Sequence, residues 1–355
     1  MKQTLKLLLA LLSLALLLGC AQKKSWYKGN THAHTVICGH ADSPPEVVAK
    51  WYLDHDYNFL ILSEHDHFID PDSVTLPKNR RKDFILIPGE EVSGPRTVHS
   101  TAMNIEHLVS KNKELEEKSE IIQNHVDITR TAGGKTILNH PNYRFAISKE
   151  DIFPVNDLYM FELYNGHPLV KNEGDSNHVS TEVLWDELLT HGMTVYGVSS
   201  DDAHYFVTID SLHSNPGRGW VIVNAEELSA DAITEALNSG SFYASNGVIL
   251  SECGVSKNAY RVVIDETKTA GELDSPELRG RRISSERLGF TIEFIGPDGF
   301  VLTTTAQNEA TFPLAGIPLY VRPRITFIRD HKTGGQEAFY AWGQPVFTDG
   351  RAKAK

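Results

Sequence analysis

Residues 26–34, Trp-Tyr-Lys-Gly-Asn-Thr-His-Ala-His, decide how this chain is read. They begin as a strand and end in His32 and His34, two imidazoles separated by one residue. Side chains on a strand repeat every two residues, so both rings point to one side. Outward from that pair, other apolar runs end in the same chemistry. His40 follows in the next loop, with Asp42 two residues on. Ser63-Glu64-His65 closes the second run and Pro88-Gly89-Glu90-Glu91 the third. His99 stands on the next, Leu138-Asn139-His140-Pro141 ends another, and Ser200-Asp201-Asp202-Ala203-His204 ends the last. Imidazoles and carboxylates gathered at successive strand ends, without thiolate, suit Zn, Mn or Fe bound through nitrogen and oxygen.

The runs themselves predict strands over 26–31, 59–63, 84–88, 98–104, 136–139, 158–163 and 194–198. Apolar periodicity predicts helices over 45–54, 113–131, 181–191 and 230–239. Strands alternating with helices argue for parallel pairing with crossover helices and a barrel-like α/β domain, whose sites lie at strand ends. Near residue 245 the pattern changes. Strand-like runs over 260–264, 288–294, 301–305, 324–329 and 338–342 are separated by turn signals such as Gly296-Pro297-Asp298-Gly299. No helix is expected there, 265–287 reads as a loop, and 351–355 as a frayed tail. The predicted division is a leader over 1–20, an α/β domain over 26–247 and a small antiparallel β module over 248–348. Phe339, Tyr340 and Trp342 read as core of that module.

Composition narrows the function. The chain has 355 residues with 34 Lys+Arg against 46 Asp+Glu, a formal net charge of −12. That balance disfavours a grip on duplex nucleic acid through phosphate contacts. It leaves room for a small anionic substrate, because a metal ion is the largest local charge in its site. The 16 histidines are the compositional trace of metal chemistry. At the N-terminus, Lys2 and Lys6 precede an apolar run from Leu7 to Leu18, the pattern of a secretory signal. Its end, Leu17-Leu18-Gly19-Cys20, resembles the lipobox of bacterial lipoproteins, which implies export and membrane attachment through a lipidated Cys20 only. Ala21 in place of Asp favours the outer membrane if the source is Gram-negative. Cys38 and Cys253 then remain, too few for a disulfide framework, and no CxxC is present for a thiolate zinc site.

In this order, HxH, a His or acid some residues on, a Glu-His pair where a TDH-like triplet stands, GxE, His, a small-residue-His-Pro triplet and SDxH resemble the PHP (polymerase and histidinol phosphatase) domain. The resemblance runs through residues 26–247. Residues 26–68 and the segment Asn215-Pro216-Gly217-Arg218-Gly219-Trp220 are most similar to its carbaryl-hydrolase-like secreted subgroup. It implies a distorted seven-stranded (β/α) barrel carrying three divalent metal ions. By motif, His32, His34, Glu91 and Asp202 are expected at the first ion; Glu91 bridges to a second held also by His99 and His140; His40, His65 and His204 hold the third. Glu91 and Asp202 are the expected catalytic carboxylates. The implied reaction is hydrolysis of a phosphomonoester, or of nucleotide or oligonucleotide 5′ ends, by metal-activated water at a trinuclear site. A carbamate, ester or amide hydrolase on the same metals, and a non-catalytic binding lipoprotein, are the alternatives.

Some assignments stay open. Asp42 competes with His40, Asp66 and His67 with His65, and Asp201 with Asp202; Glu64 replaces the family's Asp. Glu90 reads as a supporting or solvent carboxylate, and Cys38 as a small buried filler. Arg144 and Arg218 are candidate clamps for a substrate phosphate, since the guanidinium presents a bidentate fork. His107, His125 and His191 read as surface groups.

Overall fold

A computed structural model describes residues 24–80, 82–284 and 286–351; Cys20 and the leader lie outside the described residues. The α/β portion comprises β1 (Ser25–Asn30), α1 (Pro45–Asp54), β2 (Phe59–Ile61), β3 (Ile85–Ile87), β4 (Gly89–Ser93), β5 (His99–Met103), α2 (Lys118–Thr131), β6 (Lys135–Leu138), α3 (Lys149–Ile152), β7 (Met160–Asn165), α4 (Thr181–Thr190), β8 (Tyr196–Ser200), β9 (Trp220–Ala225), α5 (Ala230–Asn238) and β10 (Phe242–Ser245). After it come β11 (Leu250–Ser256), β12 (Ala259–Ile264), α6 (Glu266–Leu273), β13 (Arg281–Ile283), β14 (Gly289–Ile295), β15 (Val301–Thr305), β16 (Glu309–Pro313), β17 (Tyr320–Asp330), β18 (Gln336–Gly343) and β19 (Val346–Phe347).

The strands form a mixed α/β protein with several sheets, and no hydrogen-bonded barrel closes among the described residues. One sheet runs β15-β14-β17-β18-β10-β9-β1-β2-β3, a second runs β4-β5-β6-β7-β8, and β11-β12-β16 form a third. The break falls at Pro88, which has no amide hydrogen to donate and separates β3 from β4 along one extended run. Across the gaps, isolated bridges join Ala33 to Ala203 and His65 to Glu91, at the ends that carry the histidines. The expectation of parallel pairing holds for β1-β2-β3 and β6-β7-β8, but β4-β5-β6 and β10-β9-β1 pair antiparallel. The β4–β5 connection, Gly94 to Val98, is a short return closed by Gly94 N–H on the Val98 carbonyl at 2.8 Å. A parallel crossover needs about a dozen residues, so this pair can only be a hairpin.

Strand alternation explains the core. Phe59 and Ile61 point into one apolar cluster, Leu60 and Leu62 into another. Val221 and Val223 against Trp220 and Ile222 repeat the division, as do Tyr340 and Trp342 against Phe339 and Ala341. These runs read as continuously apolar because both faces are buried. The later strands therefore extend the first sheet through β18 on β10 and share both clusters with it. The loop expected over 265–287 contains α6, started by Asp265, whose carboxylate accepts from Lys268 N–H at 2.9 Å. Only Thr269 and Leu273 of that helix are buried, too sparse a stripe to give a periodic signal. Arg351, expected in a frayed tail, is anchored by donating to the Leu189 and Met193 carbonyls.

Candidate metal centre

The end of β1 is held rigidly. Asn30 Oδ1 accepts from His32 N–H at 2.8 Å while its Nδ2 donates to the Gly219 carbonyl at 2.9 Å. His32 and His34 leave this strand end fully buried with their Nε2 atoms 3.0 Å apart. Glu91 of β4 and Asp202, just past β8, close on the same point. Asp202 Oδ1 lies 3.4 Å from His32 Nε2 and 3.3 Å from His34 Nε2. Glu91 lies 3.4 Å from His32 Nε2 through Oε1 and 3.5 Å from His34 Nε2 through Oε2. Ligands about 2.0–2.2 Å from a tetrahedral ion stand about 3.3–3.6 Å from each other, so the four histidine–carboxylate separations match edges of one coordination polyhedron, with the two imidazoles somewhat closer.

The remaining expected donors gather around that core. Glu91 Oε1 meets His140 Nε2 at 3.1 Å and His99 Nδ1 at 3.2 Å, and Oε2 meets His65 Nδ1 at 2.9 Å. His204 Nε2 and His40 Nε2 face one another at 3.0 Å, and the His204 ring stacks on His34 with centroids 4.1 Å apart. Donor atoms of His34, His65 and His204, and of His32, His140 and Asp202, form compact groups able to hold an ion. His140 and Asp202 adopt left-handed backbone, at φ 22° and 50°. Non-glycine residues there cost on the order of 1–3 kcal/mol each and persist where the surroundings enforce them.

Carboxylates dominate the electrostatics. Burial works against the His32 imidazolium, but Asp202, Glu91 and Glu162 outweigh it and hold its pKa well above the ordinary value. His34 is likewise raised against burial, chiefly by Asp202. Glu91 and Asp202 are in turn held well below the usual carboxylate range by the histidines, despite burial. Protons on His32 and His34 thus balance charge that a cation would balance in their place.

Other expected residues lie elsewhere. Asp42 accepts from the Phe206 and Val207 amides, and Asp66 pairs with Lys111 and Ser93 N–H; His67 is exposed. Glu90 points away from Glu91 and accepts from Val109 N–H at 2.6 Å. Asp201 accepts from Tyr52 OH and from the amides of Gly217, Arg218 and Gly219, fixing the loop before β9. The Arg218 guanidinium is buried and donates to the His213, Asp210 and Gly166 carbonyls and to Asn215 Oδ1, so it is not presented to a substrate. Arg144 is exposed, with its guanidinium carbon 5.3 Å from the Tyr143 ring centroid. His125, expected at the surface, is fully buried and meets Ser100 Oγ through Nδ1 at 3.1 Å. Cys38, expected as filler, is half-buried and places its sulfur among the donor atoms of His40 and His204. Both Cys38 and Cys253 are free.

Further residues complete the site; of these Glu64 was expected, whereas Glu162 was not. Glu162 is buried and takes His32 Nδ1 at 2.8 Å, His140 N–H at 2.7 Å and Asn165 Nδ2 at 2.8 Å. Such a partner fixes the tautomer and ring orientation of a metal-binding histidine. Asn139 Nδ2 donates to Glu91 Oε1 at 2.9 Å, and Glu64 accepts from Thr35 N–H at 2.7 Å beside His34. Tyr143, His167 and Leu169 complete the wall of a cleft of about 170 Å³ over the cluster. The available signal was Glu162 itself, a carboxylate inside the otherwise apolar start of β7.

The class defined so far is a mixed α/β protein with a buried histidine–carboxylate cluster fit for divalent ions. No protein-family model matches the sequence, and no curated protein matches it. Among solved structures, the chain is similar to a two-domain protein from Bacteroides vulgatus ATCC 8482 containing a predicted PHP-like metal-dependent phosphoesterase. The two share 13% identity at a TM-score of 0.42, over 90% of this chain and 87% of the other.

Proposed function

We propose that this protein is a metal-dependent hydrolase, with phosphoesters as the leading substrate class and up to three divalent ions, Zn, Mn or Fe, in the cluster. The observation that carries the reading is the set His32, His34, Glu91 and Asp202, in which the two imidazole Nε2 atoms stand 3.0 Å apart and each lies 3.3–3.5 Å from a Glu91 and an Asp202 oxygen. Divalent ions bound there lower the pKa of water and stabilise charge on a transferring oxygen. The chain's own part is positional. Glu91 is reached by histidines from both sheets and ties their ends together. Glu162 and Asn139 keep His32 and Glu91 in place. Tyr143, His167 and Leu169 limit the cleft, so a phosphate- or ester-sized group fits while the rest of the substrate stays outside. Export and attachment through lipidated Cys20 belong to the same reading.

Metal analysis of the full chain, with hydrolysis of p-nitrophenyl phosphate under Mn and Zn, tests it. Bound metal with turnover that chelator abolishes and E91Q or D202N removes is the expected result. Absence of metal would overturn the reading. A second reading, carbamate or ester hydrolysis, draws support from the cleft lining, which contains no Lys or Arg among the described residues to clamp a phosphate. Metal with cleavage of a carbamate ester but no phosphomonoester would select it. A C20S chain that still took up labelled fatty acid would sink the anchoring proposal.

A further inference from the structure

A second cleft, of about 770 Å³, opens between α1, β1 and the segment from Ile249 to Ser275, and none of the nine clustered metal-site residues lines it. Its volume falls in the range of small-molecule sites, about 300–1,000 Å³. Three features of its wall point to a ligand. Trp26, Trp51 and Tyr243 give it aromatic surface, with Trp51 held by stacking on His55 at 3.8 Å. Tyr57 is 3% exposed, yet its buried hydroxyl has no hydrogen-bond partner. Lys28 lies between the Tyr57 and Trp220 rings, 4.5 and 4.4 Å from their centroids, and donates to Glu272 at 2.7 Å. An ammonium has three N–H donors, so two are left after Glu272.

The mixture of charges limits what fits. A lipid chain would bury the Lys28–Glu272 ion pair, leave two ammonium N–H groups unused and leave the Tyr57 hydroxyl without a partner, which is costly. An anion would meet Asp54, Asp56 and Glu272 at the wall; a cation would meet Lys28 and Lys268. A neutral ring with an apolar C–H face and hydroxyls on its edge satisfies all of them. Its face lies on the indoles, and its hydroxyls accept from Lys28 and Tyr57 and donate to Glu272.

We infer that this cleft binds a neutral carbohydrate, a monosaccharide ring or the end of a short oligosaccharide, at a site separate from the metal cluster. The test is titration calorimetry of the detergent-solubilised full chain against a panel of neutral mono- and disaccharides. One or more is expected to bind with millimolar or better affinity. Y57F removes a hydroxyl that bonds nothing within the protein, so it leaves thermal stability unchanged or improved and weakens the sugar about tenfold. W51A weakens it as well, and metal content and hydrolysis stay as in the parent chain for Y57F. Failure of every sugar to bind, binding undiminished in both variants, or uptake of an apolar dye alone would each overturn the inference.

Discussion

Two residues state the chemistry of the centre most directly. Carboxylates hold His32 and His34 protonated well above the usual histidine range, against the pull of burial. An ion bound at their Nε2 atoms must displace those protons. Metal uptake at neutral pH is therefore expected to release protons and to strengthen as pH rises. Calorimetry in buffers of different ionisation enthalpy measures the release; no buffer dependence would contradict it. Glu162 supplies a second prediction at this scale. E162Q keeps the shape but loses the charge that seats His32, and metal affinity should fall roughly 10–100-fold while the fold stays intact. The nine clustered donors were legible because short motifs place imidazole and carboxylate at strand ends. Glu162 was not, since one carboxylate in an apolar strand shows its partner only when β1 and β7 are brought together. Arg218 misled because its loop resembles a binding loop, whereas burial commits its guanidinium to backbone carbonyls.

Among the elements, α2 carries the clearest pH dependence. Burial, then the positive charge of Lys111, pushes His125 down to about 3. The folded chain keeps it neutral while the unfolded chain protonates it below about 6.5. Its contribution to stability is thus intact above pH 6.5 and is lost as pH falls toward 3. At pH 5 the loss amounts to about 2 kcal/mol. H125Q should narrow the gap between urea midpoints measured at pH 7 and pH 5; an unchanged gap would refute this. Helix α1 was readable to the residue, with Pro45 at its first position and Val48, Ala49, Tyr52 and Leu53 on its buried face. The hairpin β4–β5 was not, because apolar runs give strand positions and no pairing direction.

For the molecule as a whole, one buried ion pair joins the later strands to the α/β portion. Arg322 of β17 is fully buried and donates to Asp186 of α4 at 2.8 and 2.6 Å, with Glu182 at 3.1 Å and Tyr320 OH also on Asp186. R322M leaves Asp186 buried without its countercharge and should cost about 3–5 kcal/mol in chemical denaturation. Loss under 1 kcal/mol would mean that the β10–β18 pairing and the shared apolar clusters hold the two parts together without help from this ion pair. Sequence marks the compositional change near residue 245 but gives no sign that β18 joins β10, since such pairing is non-local.

That long-range pairing has a consequence in time. β1 lies between β2 and β9, and Asn30 is tied to Gly219, almost 190 residues later in the chain. The histidine pair that follows β1 is thus among the earliest synthesised parts of the centre and among the last to be seated. A growing chain cannot fix His32 and His34 until β9 has emerged, and β10 stays an unpaired edge until β18 arrives. Non-local closure of this kind is slow. The centre therefore assembles only after the chain through β9 is available, so chains truncated before it carry loose donors in place of a finished site.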